Sequence, residues 1–490
     1  MTPRARNAAL LVLVAGLLAA SVPARASVAE ERKIGDNIMK KVRANPAYLF
    51  EDFEVTSLVR EIGNRLVATL GQQPFKYEFN VIRDDTINAF AIPGGKIFVH
   101  AGLLARIGSE DELAGLLGHE IAHVAAHHAI RMQQKSAAAN YASLLGLFAA
   151  VVNPILGQAA LAAGQTVKLK YQRDMEREAD FLGVHYAEKA GYNPHAMLNL
   201  LRVIYNEQKL DPASVPPYFL SHPLTGERMA NLESTLKKLE WQGPAPVMSW
   251  RLARVQAIAR ANSQTRWGAV PDYERRLATA SAADRPEALE LIGVLMAQGE
   301  DYGMAERYLE EAEKDGRNVD RELGRTYARR GKLAQAAVRL ERRVRDVPGD
   351  WDALADLGTV EYQQGRYDSA VEHLRTSLKL SRYRPEVQRE LGRAYEKDGN
   401  AGRGYYYFAV ASEQEQNAPQ AFTYYTKALE NLPEDDSLRK TIEDKVSSVG
   451  KKVHRPPERP GAHRDDGDRD DGGGPGLRRG PTVELRRFTR

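Results

Sequence analysis

At 490 residues the chain is long enough for two or three domains with sizeable cores. Hydrophobic residues make up 43% and charged residues 27%, an ordinary globular composition, and a formal charge of +4 gives no reason to expect nucleic acid as a partner. Cysteine is absent, which excludes disulfides, thiolate metal sites and cysteine nucleophiles.

Arg4 and Arg6 precede an apolar run from Ala8 to Val22, and Ala24-Arg25-Ala26 puts small residues where a signal peptidase reads. This predicts a secretory signal peptide over residues 1–26 and a bacterial periplasmic location; the run is short for a membrane span. Without cysteine, lipoprotein processing is excluded.

Ile34, Ile38 and Val42, then Leu58, Ile62, Leu66 and Leu70, recur at helical spacing and predict two helices. Tyr77 to Val81 alternates like a strand, and Lys96 to His100 reads as another. Between them Pro93-Gly94-Gly95 is a turn signal, so Asn88, Ala89, Phe90 and Ala91 are expected in a hairpin or an edge strand. An edge beside a metal could hold an extended peptide by backbone pairing; an ordinary sheet edge is the alternative.

A helix is predicted from Ser109 to about Arg131, opened by a capping box of Ser109 and Glu112, with Leu113, Leu116, Leu117, Ile121 and Val124 on its apolar face. It carries His119-Glu120-Ile121-Ala122-His123. Residues four apart stack on one face, so His119 and His123 aim at a common point with Glu120 beside them. Two neutral imidazoles supply half of a tetrahedral zinc shell, and the carboxylate can take a proton from water on the metal.

The apolar stretch 137–164 reads either as a lid or membrane-surface contact over the site or as a buried core hairpin. Lys168 to Lys189 resumes as helix, with Glu176 and Asp180 four apart. Tyr192-Asn193-Pro194 starts another helix, and Ser221 to Arg228 reads as a loop running into a further one.

Leu323-Gly324, Leu357-Gly358 and Leu391-Gly392 are each 34 residues apart, as are Gly331, Gly365 and Gly399. Ile292-Gly293, Ala305 and Leu309 form an earlier, imperfect copy. This is the tetratricopeptide period, and four copies predict a short superhelix with a concave face. Tyr405, Tyr406, Tyr407, Tyr424 and Tyr425 are expected to divide between core packing and peptide contact. From 451 to 490 the composition predicts disorder. The expected organisation is thus a catalytic domain over 27–255, a helical linker over 256–284 and a repeat domain over 285–450. The fold class is mainly α, an α+β catalytic domain with a small sheet followed by an all-α superhelix.

A catalytic zinc needs a third protein ligand. Ala129 stands where an extended histidine pattern would place it, and His127 and His128 read as solvated or outer residues. Glu176, from the other helix, is the best remaining candidate. Asp180 is placed to accept the outer N–H of a ligating histidine.

HEIAH followed by EREAD, with NAFAIPGG before and SHPLTGER after, resembles the M48 peptidases (the CAAX-protease and heat-shock-protease superfamily). With a signal peptide in front and repeats behind, the chain is similar to their periplasmic β-barrel assembly-enhancing group. The resemblance implies one zinc ion held by His119, His123 and Glu176, with Glu120 as catalytic acid/base and Asp180 behind the ligands. It places His222 near the active site, as an oxyanion stabiliser, as an occupant of the fourth zinc position, or as a structural loop residue. Arg228 is expected to orient the nearby acids. The implied activity is a zinc endopeptidase acting on misfolded or misassembled outer-membrane proteins, its repeats recruiting these or their assembly machinery. The alternative is a chaperone or scaffold that cleaves only occasionally.

Overall fold

The computed structural model describes residues 28–43, 45, 48–134, 166–210, 216–262 and 266–453. The predicted leader, the stretch 137–164 and most of the predicted tail lie outside them. The chain opens with helices α1 (Val28–Arg43) and α2 (Phe53–Val67), the second capped by Asp52, whose side chain accepts from the Glu54 and Val55 N–H groups. Strands β1 (Glu78–Ile82), β2 (Ala89–Ile92) and β3 (Lys96–His100) form a sheet of order β1-β3-β2. β1 runs parallel to β3, pairing Glu78 with Lys96, while β2 returns antiparallel, pairing Ala89 with Val99. Pro93-Gly94-Gly95 makes the β2–β3 turn with both glycines at φ +81, a conformation side chains rarely adopt. β2 is therefore the edge strand of the expected hairpin.

A single turn, α3 (Ala101–Leu104), leads to α4 (Glu110–Ala125). The capping box forms: Ser109 Oγ accepts from Glu112 N, and the Glu112 carboxylate accepts from Gly108 N. α4 is buried on nearly every side, against α2, β2, α6 (Thr166–Lys189) and α7 (Ala196–Leu210). It is shorter than its periodicity suggests. It stops at Ala125, His127 takes a left-handed φ of 52, and α5 (His128–Gln134) starts in a new direction. No glycine or proline announces that break. The loop expected over Ser221 to Arg228 is shorter: Ser221 ends α8 (Pro217–Ser221), Gly226 to Arg228 open α9 (Gly226–Leu236), and only residues 222–225 link them.

Helices α10 (Trp250–Ala261) and α11 (Arg266–Thr279) join this unit to the repeats. Four helical pairs follow: α12–α13 (Arg285–Gln298, Tyr302–Lys314), α14–α15 (Asp320–Arg329, Leu333–Asp346), α16–α17 (Trp351–Gln363, Tyr367–Leu380) and α18–α19 (Pro385–Lys397, Ala401–Gln414). The repeat glycine has the same job in each. A Cβ on Gly293, Gly324, Gly358 or Gly392 would stand 2.6–2.7 Å from Leu309, Leu340, Leu374 or Phe408 of the paired helix. A fifth pair, α20–α21 (Ala418–Asn431, Arg439–Val453), continues the stack without the Leu-Gly signature, so the array exceeds the four copies the period suggests. Tyr425 is fully buried there, in the core role.

One hydrophobic core runs from α2 and the sheet through α10 into the first repeats. Beyond it, residues 51–54 meet α14–α17. Trp351 Nε1 donates to the Glu51 carbonyl at 3.0 Å, Phe53 N to Asp352 at 2.7 Å, Arg321 to Asp52 at 2.9 Å and Arg343 to Glu54 at 2.8 Å. The Phe53 ring meets Trp351 edge-on, with centroids 4.9 Å apart.

Candidate metal centre

Helices α4 and α6 cross at two facing glycines. A Cβ on Gly118 would lie 2.7 Å from the Gly183 carbonyl oxygen, and one on Gly183 would lie 2.8 Å from His119 N. This close approach carries Glu176, two turns before Gly183, onto the imidazoles of α4. His119 Nε2 and His123 Nε2 are 3.1 Å apart, and each is 3.4 Å from a Glu176 oxygen. The His222 loop closes the fourth corner: its Nδ1 is 3.3 Å from His119 Nε2 and 3.1 Å from Glu176 Oε1. Donors about 2.0–2.2 Å from a tetrahedral ion stand about 3.3–3.6 Å from one another. The His119, His123 and Glu176 donors stand close to that spacing, with His222 Nδ1 equally near two of them, and the four residues form the one metal-capable group of this kind among the described residues.

Outer contacts fix these side chains. His119 Nδ1 is 3.0 Å from Asp180 Oδ1. Arg228 grips Asp180 with two nitrogens (2.7 and 2.8 Å), reaches Glu176 at 2.9 Å, and donates to the His222 carbonyl at 3.2 Å. All of these groups are buried. The His222 ring stacks on fully buried Tyr218, with centroids 4.8 Å apart.

Charge follows burial and partnering. Burial alone would push the Glu176 carboxyl up, but His222, Arg228 and His123 outweigh it and hold it well below the usual carboxylate range. Burial likewise works against the charged form of His119, yet bonding to Asp180 and Glu176 prevails and takes its pKa up to about 9. At His123 burial wins and brings the value down to about 3. Glu120 is 1% exposed, its Oε1 3.6 Å from His222 Nε2 and without a hydrogen-bond partner among the described residues. A buried carboxylate oxygen left unbonded implies a missing partner such as water. Beside Glu176 opens a cleft of about 210 Å³, lined by Arg173, Arg177, Pro223, Thr225, Glu227 and Arg228.

The structure thus brings together His119, Glu120, His123, Glu176, Asp180, His222 and Arg228. Asn88, just before the edge strand, and Ala89, its first residue, are fully buried, so Phe90 and Ala91 are the more accessible of the four expected contact residues. Gly118, Gly183 and Tyr218 escaped the sequence reading. A helical glycine four residues before Ala122 could have flagged the crossing, since nothing else favours glycine inside a helix.

Residues 55–236 match the profile of peptidase family M48. Over that stretch the chain is similar to this peptidase family. The chain is similar to the putative beta-barrel assembly-enhancing protease of Vibrio cholerae serotype O1, at 33% identity over 242 residues, covering 48% of this chain and 50% of that one. It is also similar to the mitochondrial metalloendopeptidase OMA1 of Schizosaccharomyces pombe, at 31% identity over 218 residues, covering 43% of this chain and 62% of that protein. The chain spans about half the length of the beta-barrel assembly-enhancing proteases it matches. Among solved structures it is similar to MamA MSR-1 C2, at 21% identity, covering 34% of this chain and 98% of that one, with a TM-score of 0.29. No helix among the described residues is long and apolar enough to cross a membrane.

Proposed function

We propose that this protein is a zinc-dependent endopeptidase of the bacterial periplasm that cleaves misfolded or misassembled outer-membrane proteins, with the repeat array recruiting these clients or their assembly machinery. The observation that carries the enzymatic reading is the convergence of the His119, His123, Glu176 and His222 donors beside the unbonded oxygen of Glu120. The two nitrogens, the carboxylate and a fourth position suit zinc better than magnesium or calcium, which prefer more oxygen ligands. When bound, zinc polarises a scissile carbonyl and makes a water acidic near neutral pH. Glu120 is placed to accept that proton and to pass it to the leaving amine. The cleft of about 210 Å³ beside Glu176 offers room for a substrate side chain, and the edge strand offers Phe90 and Ala91. The name of its relatives, beta-barrel assembly-enhancing protease, supports a role in β-barrel assembly, and the predicted signal peptide supports the periplasm.

Of the three roles open to His222, the geometry favours the fourth ligand position, because its Nδ1 lies at donor–donor distance from both His119 and Glu176. There it excludes water, so cleavage requires the loop to withdraw. A protease that rests in this form also suits the second reading, a scaffold for outer-membrane protein assembly in which cleavage is occasional. Casein digestion tests the enzymatic reading. The wild-type chain should cleave, o-phenanthroline should abolish it, and Glu120→Gln should keep zinc while losing on the order of 10²–10⁴ in rate. Full turnover by Glu120→Gln would defeat the assignment.

A further inference from the structure

We propose that His128, backed by Glu178, is a positioning residue that holds His123 in its metal-binding tautomer. The inference rests on the reading of His119, His123 and Glu176 as metal ligands. It starts from the break after α4. Because the chain turns back at His127, the His128 ring is folded over His123, with centroids 4.8 Å apart and planes 79° to one another. The two Nδ1 atoms are 2.9 Å apart. His128 is 3% exposed, its Nε2 is 3.3 Å from Glu178 Oε2, and that same oxygen accepts from Arg131 at 2.8 Å.

Only one proton fits between two nitrogens at that distance, so the pair has a direction. His123 turns its Nε2 to His119 and Glu176. To offer a lone pair there, a neutral ring must carry its proton on Nδ1, which then donates to His128 Nδ1. His128 in turn carries its own proton on Nε2, aimed at the Glu178 carboxylate. Every donor then faces an acceptor. The reverse order puts the His123 proton on Nε2, where it blocks ligation, and leaves His128 Nε2 a bare lone pair facing a carboxylate. The chain therefore selects the ligating tautomer, as outer-sphere partners of metal-bound histidines do.

His119 has the same provision by a shorter route, with Asp180 against its Nδ1 and Arg228 behind Asp180. Each imidazole is thus backed by a carboxylate that an arginine holds. The two routes differ in exposure: Asp180 and Arg228 are buried, whereas Glu178 and Arg131 are about 40% exposed. Since solvent screens that outer pair, His128 carries more of the effect than Glu178.

The test is zinc affinity, measured on the purified full chain by competition with a chromophoric chelator, alongside heat unfolding of the zinc-stripped protein. His128→Ala should weaken zinc about 10- to 100-fold. His128→Asn keeps a polar acceptor near the Nδ1 position and should recover most of that loss, whereas the two zinc-stripped variants should unfold alike. Glu178→Ala should weaken zinc about tenfold in the wild-type chain and add little on top of His128→Ala. Wild-type zinc affinity in His128→Ala, Asn no better than Ala, or fully additive losses would each overturn the proposal. If His128→Ala does not fold, His128→Phe, which keeps a ring and removes both nitrogens, takes its place: weakened zinc supports the proposal and wild-type zinc affinity overturns it. A wild-type chain that bound no zinc would defeat the metal reading itself, a result these variants cannot mimic.

Discussion

Replacing Gly118 by alanine tests whether the α4–α6 crossing sets the geometry of the site. The added Cβ would meet the Gly183 carbonyl oxygen at 2.7 Å and two further Gly183 backbone atoms at 3.3 Å. These are main-chain atoms, so no side chain can move aside. Restoring ordinary contact at about 3.5 Å requires the helices to part by about 0.8 Å locally. Metal ligands tolerate only about 0.2 Å, and the His119, His123 and Glu176 donors span this crossing. Overpacking of this kind costs about 1–3 kcal/mol; levied on the bound state, it weakens zinc about 5- to 150-fold. A plain Gly→Ala change in a helix does the opposite and stabilises by about 1 kcal/mol. The assay is zinc affinity by chelator competition, with a thermal scan of the same samples. A Gly118→Ala protein with wild-type zinc affinity and a raised Tm would refute the reasoning.

His222→Ala should raise casein cleavage while zinc stays bound, because the fourth position opens; lost cleavage would instead assign His222 to oxyanion binding. Arg228→Leu leaves Glu176 and Asp180 facing each other without their shared cation, and should cost about 3–5 kcal/mol in urea unfolding; a change under about 1 kcal/mol would mean the acids are balanced otherwise. In the repeats, the Glu361 hydrogen bond holds His373 above its ordinary pKa. A raised folded-state value adds stability that is fully present below about pH 6.5 and fades as pH rises through the folded pKa. The urea-midpoint gap between wild type and His373→Gln should therefore narrow from pH 6 to alkaline pH, and a constant gap would contradict the assignment.

What could be read in advance tracks how local the determinant is. The metal helix is written in the fifteen residues from Ser109 to His123, with its cap and histidine spacing both in sequence range, and Ser109, His119 and His123 sit as that pattern requires. The repeat glycines were legible because their partners follow at a fixed offset. Glu176 could be chosen by spacing on a second helix, but its approach depends on Gly118 meeting Gly183, a contact across 65 residues that no periodicity encodes. The direction of His128 was hidden for a related reason. An unbroken helix puts it away from His123, and the left-handed residue that breaks the helix is a histidine rather than a glycine. Likewise the Asp52–Arg321 and Glu54–Arg343 pairs join residues more than 260 positions apart. Burial of those charges follows from tertiary packing alone.

The most direct test of the account is metal content. Elemental analysis of the purified wild-type chain should find one zinc ion per polypeptide, and Glu176→Ala should lose most of it under the same dialysis while remaining folded by circular dichroism. A wild-type chain without stoichiometric zinc, or a Glu176→Ala chain that keeps it all, would contradict the account.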